Sequence, residues 1–320
     1  MPIFSPKRDK YIIVMYHYIF NERPDRRGMH PRRPADFATE LDFLTAHYQI
    51  VTVPEVSLAA RQNGPPSCAL TFDDATRDQY EKAAPRLETK GCRGTFFVIS
   101  SVLDGVLPIT HGLHVLLSYW SGKQVVDRYH RFLEQNGKLA EREQLIIPTN
   151  HHLNPLRLHD DVYTANFKEF FPSLPVVWQR KFLTATFQEL HLNPQVLTAE
   201  LFMQAAEIQD LTRRGHVIGA HAHQHRPFDL LTQNEITVEL TQSQKILAKI
   251  LGITSSVISY PYGRLPVQTA PILAIVKKNG FTSGVMMAYR SVAASDDQLL
   301  LPRFNTNHIH DYLLTGHIKF

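Results

Sequence analysis

The sequence predicts an α/β protein, a distorted (β/α) barrel of about seven units with a helical insertion. Short β-rich runs alternate with helical patterns along most of the chain, the order expected of a parallel sheet. The runs are apolar on consecutive positions, as in strands covered on both faces. The stretch from about Leu103 to Thr198 breaks this rhythm with helical patterns alone. An open doubly wound sheet is the competing arrangement.

The expected strands are Tyr11–Tyr16, Ile50–Val53, Ala69–Phe72, Thr95–Ile99, Val217–Gly219, Val257–Tyr260 and Thr282–Val285. A helix from about Asp36 puts Phe37, Leu41 and Leu44 on one face. In the irregular stretch, amphipathic patterns at His114–Trp120, Gln124–Glu134 and Val177–Leu190 are joined by loops such as Pro148–Leu158. Its aromatic residues Tyr119, Trp120, Phe170, Phe171 and Trp178 fit helix-core packing, with a lid or stacking wall over a pocket as the alternative. Thr232-Gln-Asn-Glu235 has the form of a capping box, in which each side chain satisfies the other's backbone donor. The helix it opens carries Ile236, Leu240, Leu247 and Leu251, and Gly252 stops it. Another helix ends in Lys277-Lys278-Asn279-Gly280, with cations at the negative end of its dipole. The domain reading is a barrel from 1–102 and 199–320, with 103–198 as an inserted helical unit or cap.

Composition narrows the class. A chain of 320 residues buries a substantial core without disulfides or a structural metal. Its 43% hydrophobic and 20% charged residues exclude general disorder. With 34 Lys and Arg against 30 Asp and Glu, the excess of +4 is too small to name a partner. No apolar run is long enough to span a bilayer. The first residues lack a secretory h-region, and two cysteines, Cys68 and Cys92, make no disulfide framework. The expected location is therefore the cytoplasm. The 17 histidines point toward metal binding or proton transfer.

Three segments carry chemistry. Thr71-Phe72-Asp73-Asp74 ends a strand in two carboxylates that project in different directions, at the end where βα folds place their sites. One suits a metal and the other a proton; alternatively Asp74 caps the helix beginning near Thr76. Gly215-His216-Val217-Ile218-Gly219-Ala220-His221-Ala222-His223-Gln224-His225 sets histidines on alternate positions after a strand. His221 and His225 meet if the segment makes a helical turn, His221 and His223 if it stays extended, and a solvated loop is the bland reading. Two imidazoles with one carboxylate form a facial metal site with open positions. Ser259-Tyr260-Pro261-Tyr262-Gly263 is a rigid turn with aromatic walls.

Taken in this order, TFDD, G-H-x-I-G-x-H-x-x-x-H and Y-P-Y-G resemble the motifs of the NodB-homology polysaccharide deacetylases, carbohydrate esterase family four. The resemblance covers roughly Tyr11–Ser100 and Leu201–Asn305, including Met15-Tyr16-His17, and leaves out the middle hundred residues. It implies a catalytic base at Asp73 and metal ligands at Asp74, His221 and His225, which leaves His223 a non-ligand. It also implies an oxyanion donor in the backbone N–H of Tyr262, with Tyr260 and Pro261 shaping the substrate pocket. Ala222 replaces the usual Ser or Thr, which loosens a supporting hydrogen bond without removing the site. The Arg that usually opens the third motif is missing around Ser259, and Arg303 of Leu301-Pro302-Arg303 is the candidate to pair with the base. The final Leu-x-His that supplies the general acid is not evident, since His308, His310 and His317 lack its context. His17, at the carboxyl end of the first strand, is the candidate acid.

The reaction this implies is hydrolysis of an acetamido group on an N-acetylated sugar, with Zn²⁺ as the expected divalent metal, its bound water as nucleophile and Asp73 as base. Arg23, Arg26, Arg27, Arg32 and Arg33 crowd the loop Asn21–Pro34 and suit phosphate or carboxylate, so an anionic or phosphate-linked saccharide is expected. The same loop is compatible with peripheral membrane contact. Nucleic acid has no supporting motif. The rival readings are a deformylase or other amide hydrolase of this fold, and a catalytically silent saccharide-binding module.

Overall fold

The computed structural model describes residues 4–136, 147, 151, 153 and 160–315. Eight strands form: β1 Tyr11–Tyr16, β2 Gln49–Ile50, β3 Ser67–Phe72, β4 Thr95–Val98, β5 Val217–Ala220, β6 Val257–Ser259, β7 Ser283–Met287 and β8 Leu301–Asn305. They follow one another in the order β1-β8-β7-β6-β5-β4-β3, and β3 pairs back onto β1, so seven strands close a barrel. Every pairing is parallel. The two-residue β2 lies outside the ring, against the start of β3.

The sequence expectation differs from this at two strands. Ile50–Val53 does not stay extended, because Thr52 and Glu55 form a capping box and Pro54 occupies the first turn of a helix, Val53–Gln62. That local start signal overrides the β-branched composition. β8 goes unforeseen because Pro302, which has no N–H to give a ladder, argues against a strand in the middle of a sheet. Leu301-Pro302-Arg303 is strand, with Pro302 set opposite Met286.

The period of two along each strand divides the core. Ile13, Ala69, Phe97, Val257, Val285 and Leu301 share one cluster, joined by Val53, Val56 and Ala60 of the helix after β2. Their strand neighbours Ile12, Val14, Leu70, Phe72, Phe96, Ile258 and Phe304 belong to another, together with the surrounding helices. The first set faces the barrel interior and the second the helical layer, as alternation requires. Helix Pro34–His47 buries Phe37, Leu41 and Leu44. Helix Gln233–Leu251 starts at the Thr232–Glu235 box and stops at Gly252, whose φ of 74° is left-handed. Its buried face carries Glu239, Ser243 and Gln244 beside Ile236, Leu240 and Leu247, while Leu251 is only partly covered.

The Glu235 carboxylate accepts the Thr232 N–H at 3.0 Å and an Arg226 N–H at 2.7 Å. The Thr232 backbone bond first, then Arg226 and the Thr232 hydroxyl, hold its carboxyl down at about 2. A depressed carboxyl stabilises the fold fully above the ordinary glutamate value near pH ~4.3 and loses that contribution as pH falls toward 2. Glu235→Gln should therefore lower the melting temperature at neutral pH, and the gap to the parent should close between pH ~4 and ~2. Melting curves across that range check this, and a gap that stays constant contradicts it.

Contacts divide the chain into two compact units, one of Met1–Asn21, Pro31–Val106 and Thr198–Phe320, the other of Glu22–His30 and Leu107–Leu197. In the second, helices Ile109–Tyr119, Gly122–Gln135, Val162–Phe170 and Val176–Glu189 surround Tyr129, Phe167, Phe171 and Phe182. The Arg128 guanidinium stacks on Trp120, and Phe132 meets Trp178 edge-on. The short 3₁₀ segment Pro24–Met29 lies on helix Ile109–Tyr119, where any Cβ on Gly28 would meet Leu117 at 2.7 Å and the His114 carbonyl closer still. Of the expected loop Pro148–Leu158, only His151 and Leu153 fall among the described residues.

Candidate active site

Strand alternation carries the next inward residues to the carboxyl end of the barrel. Asp73 follows β3, Ser259 ends β6, Arg303 sits in β8 and His221 follows β5. All four are buried. Arg303 holds Asp73 as a fork, Nη1 to Oδ1 at 2.7 Å and Nη2 to Oδ2 at 2.8 Å. Its Nη2 also donates to the Ser259 hydroxyl at 2.8 Å, and that hydroxyl donates to Asp73 Oδ2 at 3.0 Å. Nη1 reaches Thr71 Oγ1 at 3.2 Å, and the guanidinium lies 5.8 Å above the Phe97 ring. Bidentate geometry of this kind fixes the carboxylate plane as well as its charge. Burial alone would raise the Asp73 carboxyl, but the Arg303 charge, then His221 and the Arg303 hydrogen bonds, outweigh it and leave it at about 2.

Asp74 leaves the strand in another direction, with φ of 79° followed by 56° at Ala75. This is a left-handed turn, unlike the extended backbone usual at a helix cap. Its Oδ1 lies 3.5 Å from His221 Nε2 and 3.6 Å from His225 Nε2. One potential ligand atom from each residue falls within 4.8 Å of the others. His221 Nδ1 donates to the Ser259 carbonyl at 2.7 Å, which fixes the tautomer and aims Nε2 at Asp74. Burial pushes the His221 imidazole below its ordinary value despite Asp73 and Asp74. A buried carboxylate and two imidazoles, one locked by an outer hydrogen bond, are the donor set of a divalent metal, so the residues present fit such an ion.

His221 and His225 converge by neither of the two routes open in the sequence. The segment is not helical; left-handed residues Ala222 and His225, both with φ of 59°, bend it so that the rings lie 4.7 Å apart. His223 turns aside, its Nδ1 3.0 Å from the Ser100 hydroxyl. Positive φ at Asp74, Ala75, Ala222, His225 and Tyr262 concentrates backbone strain around this group, as functional sites often do.

Tyr262 places its ring 5.0 Å from that of His225, and Pro261 beside it is buried. Tyr260 takes the outward register, so it shapes no pocket wall. It is fully buried, donates its hydroxyl to the Leu299 carbonyl at 2.9 Å and packs on Phe228. His17 is half-buried at the end of β1, close enough for its charge to favour the ionised form of Asp73. Gln79 ties both backbones together, donating one amide to the His17 carbonyl at 2.9 Å and to the Asp73 carbonyl at 2.6 Å. His310 is 3.0 Å from Glu40 and His308 packs on Tyr289 and Phe304, while His317 lies outside the described residues. Ser259, Thr71 and Phe97 were missed as site residues; inward register at the barrel end was the signal that could have found them.

The arginine loop is largely neutralised within the chain. Arg23 and Arg26 pair with Asp25, Arg32 with Glu40 and Arg33 with Asp36, whereas Arg27 is exposed.

The closed parallel barrel carries these acidic and imidazole groups at its carboxyl end, where βα-barrel enzymes place their active sites. Residues 60–111 and 160–284 match the polysaccharide deacetylase profile. The chain belongs to the polysaccharide deacetylase family and is accordingly a hydrolase. Solved structures with the same fold include a Streptococcus pyogenes deacetylase, PplD, in complex with acetate, at 17% identity and TM-score 0.57, covering 98% of this chain and 100% of that one. IcaB from Ammonifex degensii aligns at 15% identity and TM-score 0.54, covering 93% and 91%. A de-N-acetylase from Aggregatibacter actinomycetemcomitans aligns at 12% identity and TM-score 0.52, covering 92% and 94%. No curated protein sequence gives a significant match. Among the described residues, no helix is long and apolar enough to cross a membrane.

Proposed function

We propose that this chain removes the acetyl group from an N-acetylated saccharide by metal-dependent amide hydrolysis. The observation that carries the proposal is a forked, buried Asp73 directly beside the convergent Asp74, His221 and His225. Asp74, His221 and His225 would hold the ion, Zn²⁺ in our reading, and when bound it polarises the acyl oxygen and makes water acidic near neutrality. Asp73, kept ionised and oriented by Arg303 and Ser259, accepts the proton of the attacking water. The Tyr262 backbone N–H donates to the oxyanion that forms on the acyl carbon. The C–N bond then breaks, acetate leaves, His17 donates a proton to the departing amine, and the proton held by Asp73 passes to solvent, from which His17 is reprotonated.

The catalytic domain in this reading is 1–102 with 199–320, and 103–198 is an insertion. Cytoplasmic residence is part of the proposal and rests on the free thiols of Cys68 and Cys92. The anionic or phosphate-linked substrate rests on the arginine-rich sequence Asn21–Pro34: KM should be lower for an anionic N-acetylated saccharide than for an uncharged N-acetylglucosamine oligomer, and equal KM values remove the idea. The function itself is tested by product analysis with N-acetylglucosamine oligomers and their N-formyl counterparts. Acetate with a matching free amine supports the deacetylase. Formate alone makes the chain a deformylase, and saccharide affinity without either product makes it a silent binding module.

A further inference from the structure

The turn that brings His225 round to face His221 is held from two sides by residues outside the three motifs. Ala222 has no hydroxyl, so the turn cannot tie itself through that side chain. Instead, one oxygen of Glu239, from helix Gln233–Leu251, accepts the backbone N–H of His223 at 2.9 Å and of Gln224 at 2.7 Å. On the other side the chain leaving β4 supplies three bonds. Ser100 N–H donates to the Ala222 carbonyl at 3.2 Å, Ser101 N–H to the His223 carbonyl at 3.0 Å, and the Ser100 hydroxyl lies 3.0 Å from His223 Nδ1. Glu239 is 4% exposed and Ser100 fully buried. A carboxylate taken out of water is costly unless its lone pairs are used, and this one is aimed at two consecutive amides of the ligand-bearing turn.

We propose that Glu239 is the positioning residue of the metal site, with Ser100 as its counterpart across the turn. The inference rests on the metal-binding reading of Asp74, His221 and His225. Glu239 touches neither the ion nor the saccharide. It holds His223 and Gln224 between the two imidazoles, so that the left-handed bend at Ala222 and His225 persists before any metal arrives. Outer-sphere supports of this kind typically contribute 10- to 100-fold to metal affinity.

The test is the Zn²⁺ dissociation constant of the full chain, measured by chelator competition, with Co²⁺ absorption as a second readout. Glu239→Ala should bind Zn²⁺ about 10- to 100-fold more weakly and give a weakened, shifted Co²⁺ d–d band. Glu239→Gln, which keeps the volume and one acceptor oxygen, should lose less, and guards against a simple failure of Glu239→Ala to fold. Ser100→Ala should also weaken binding. Gln242→Gly, on the exposed face of the same helix, weakens the helix without touching the turn and should leave the Zn²⁺ constant within about twofold of the parent. Folded Glu239 variants with the parental constant and the parental Co²⁺ spectrum overturn the inference while the metal site stands. Equal weakening by Gln242→Gly overturns it too, because it makes the effect a general loss of helix stability. A parent chain that binds neither ion overturns the metal-binding reading itself.

Discussion

Asp73→Asn should cut acetate release by about 10²- to 10⁴-fold, the range that a general base contributes, while Zn²⁺ stays bound. The substitution is nearly isosteric but removes the charge that Arg303 was placed to meet, so the protein should also melt at a lower temperature. Loss of one partner from a buried ion pair leaves the other charge stranded, which typically costs about 3–5 kcal/mol. Measuring turnover and metal content on the same folded sample separates the two effects. Turnover within tenfold of the parent would remove Asp73 from the role of base.

The second large effect is expected at Arg303. Arg303→Met leaves Asp73 buried among Thr71, Ser259 and His221 with no cation of fixed charge beside it, again a loss of about 3–5 kcal/mol. Without the guanidinium, burial is less opposed and the Asp73 carboxyl rises from its value of about 2. Any remaining activity should therefore fall away at a higher pH on the acid side than in the parent, since only the ionised carboxylate accepts a proton. Arg303→Lys keeps the charge but loses the fork, and should recover stability more than turnover. The double variant Asp73→Asn with Arg303→Met should be more stable than either single variant, because no unpaired charge is left inside. Additive losses in that cycle would contradict the coupling.

The barrel was legible because parallel strands buried on both faces read as short apolar runs, and six of those runs lie where β1 and β3 to β7 are found. The acidic pair and the imidazole cluster were legible because their residue types are costly to bury without a purpose. What hid β8 was Pro302, a local signal against a strand that the closed sheet tolerates, although Arg303 itself was already the candidate partner of Asp73. Tyr260 was misread for the opposite reason. The family resemblance implied a pocket wall, but the strict alternation of β6 sends Ser259 inward and Tyr260 into the helical layer. The bend from His221 to His225 depends on left-handed backbone at Ala222 and His225 and on Glu239 from a distant helix, tertiary facts that no local pattern encodes.

The most direct measurement is the metal content of the purified chain beside that of His221→Ala. The account requires about one divalent ion per chain in the parent, Zn²⁺ in our reading. It also requires loss of that ion in the variant, with acetate release following the metal when it is stripped by chelator and restored. A folded parent that stays empty under added Zn²⁺, or a His221→Ala variant that keeps both its ion and its turnover, would contradict it.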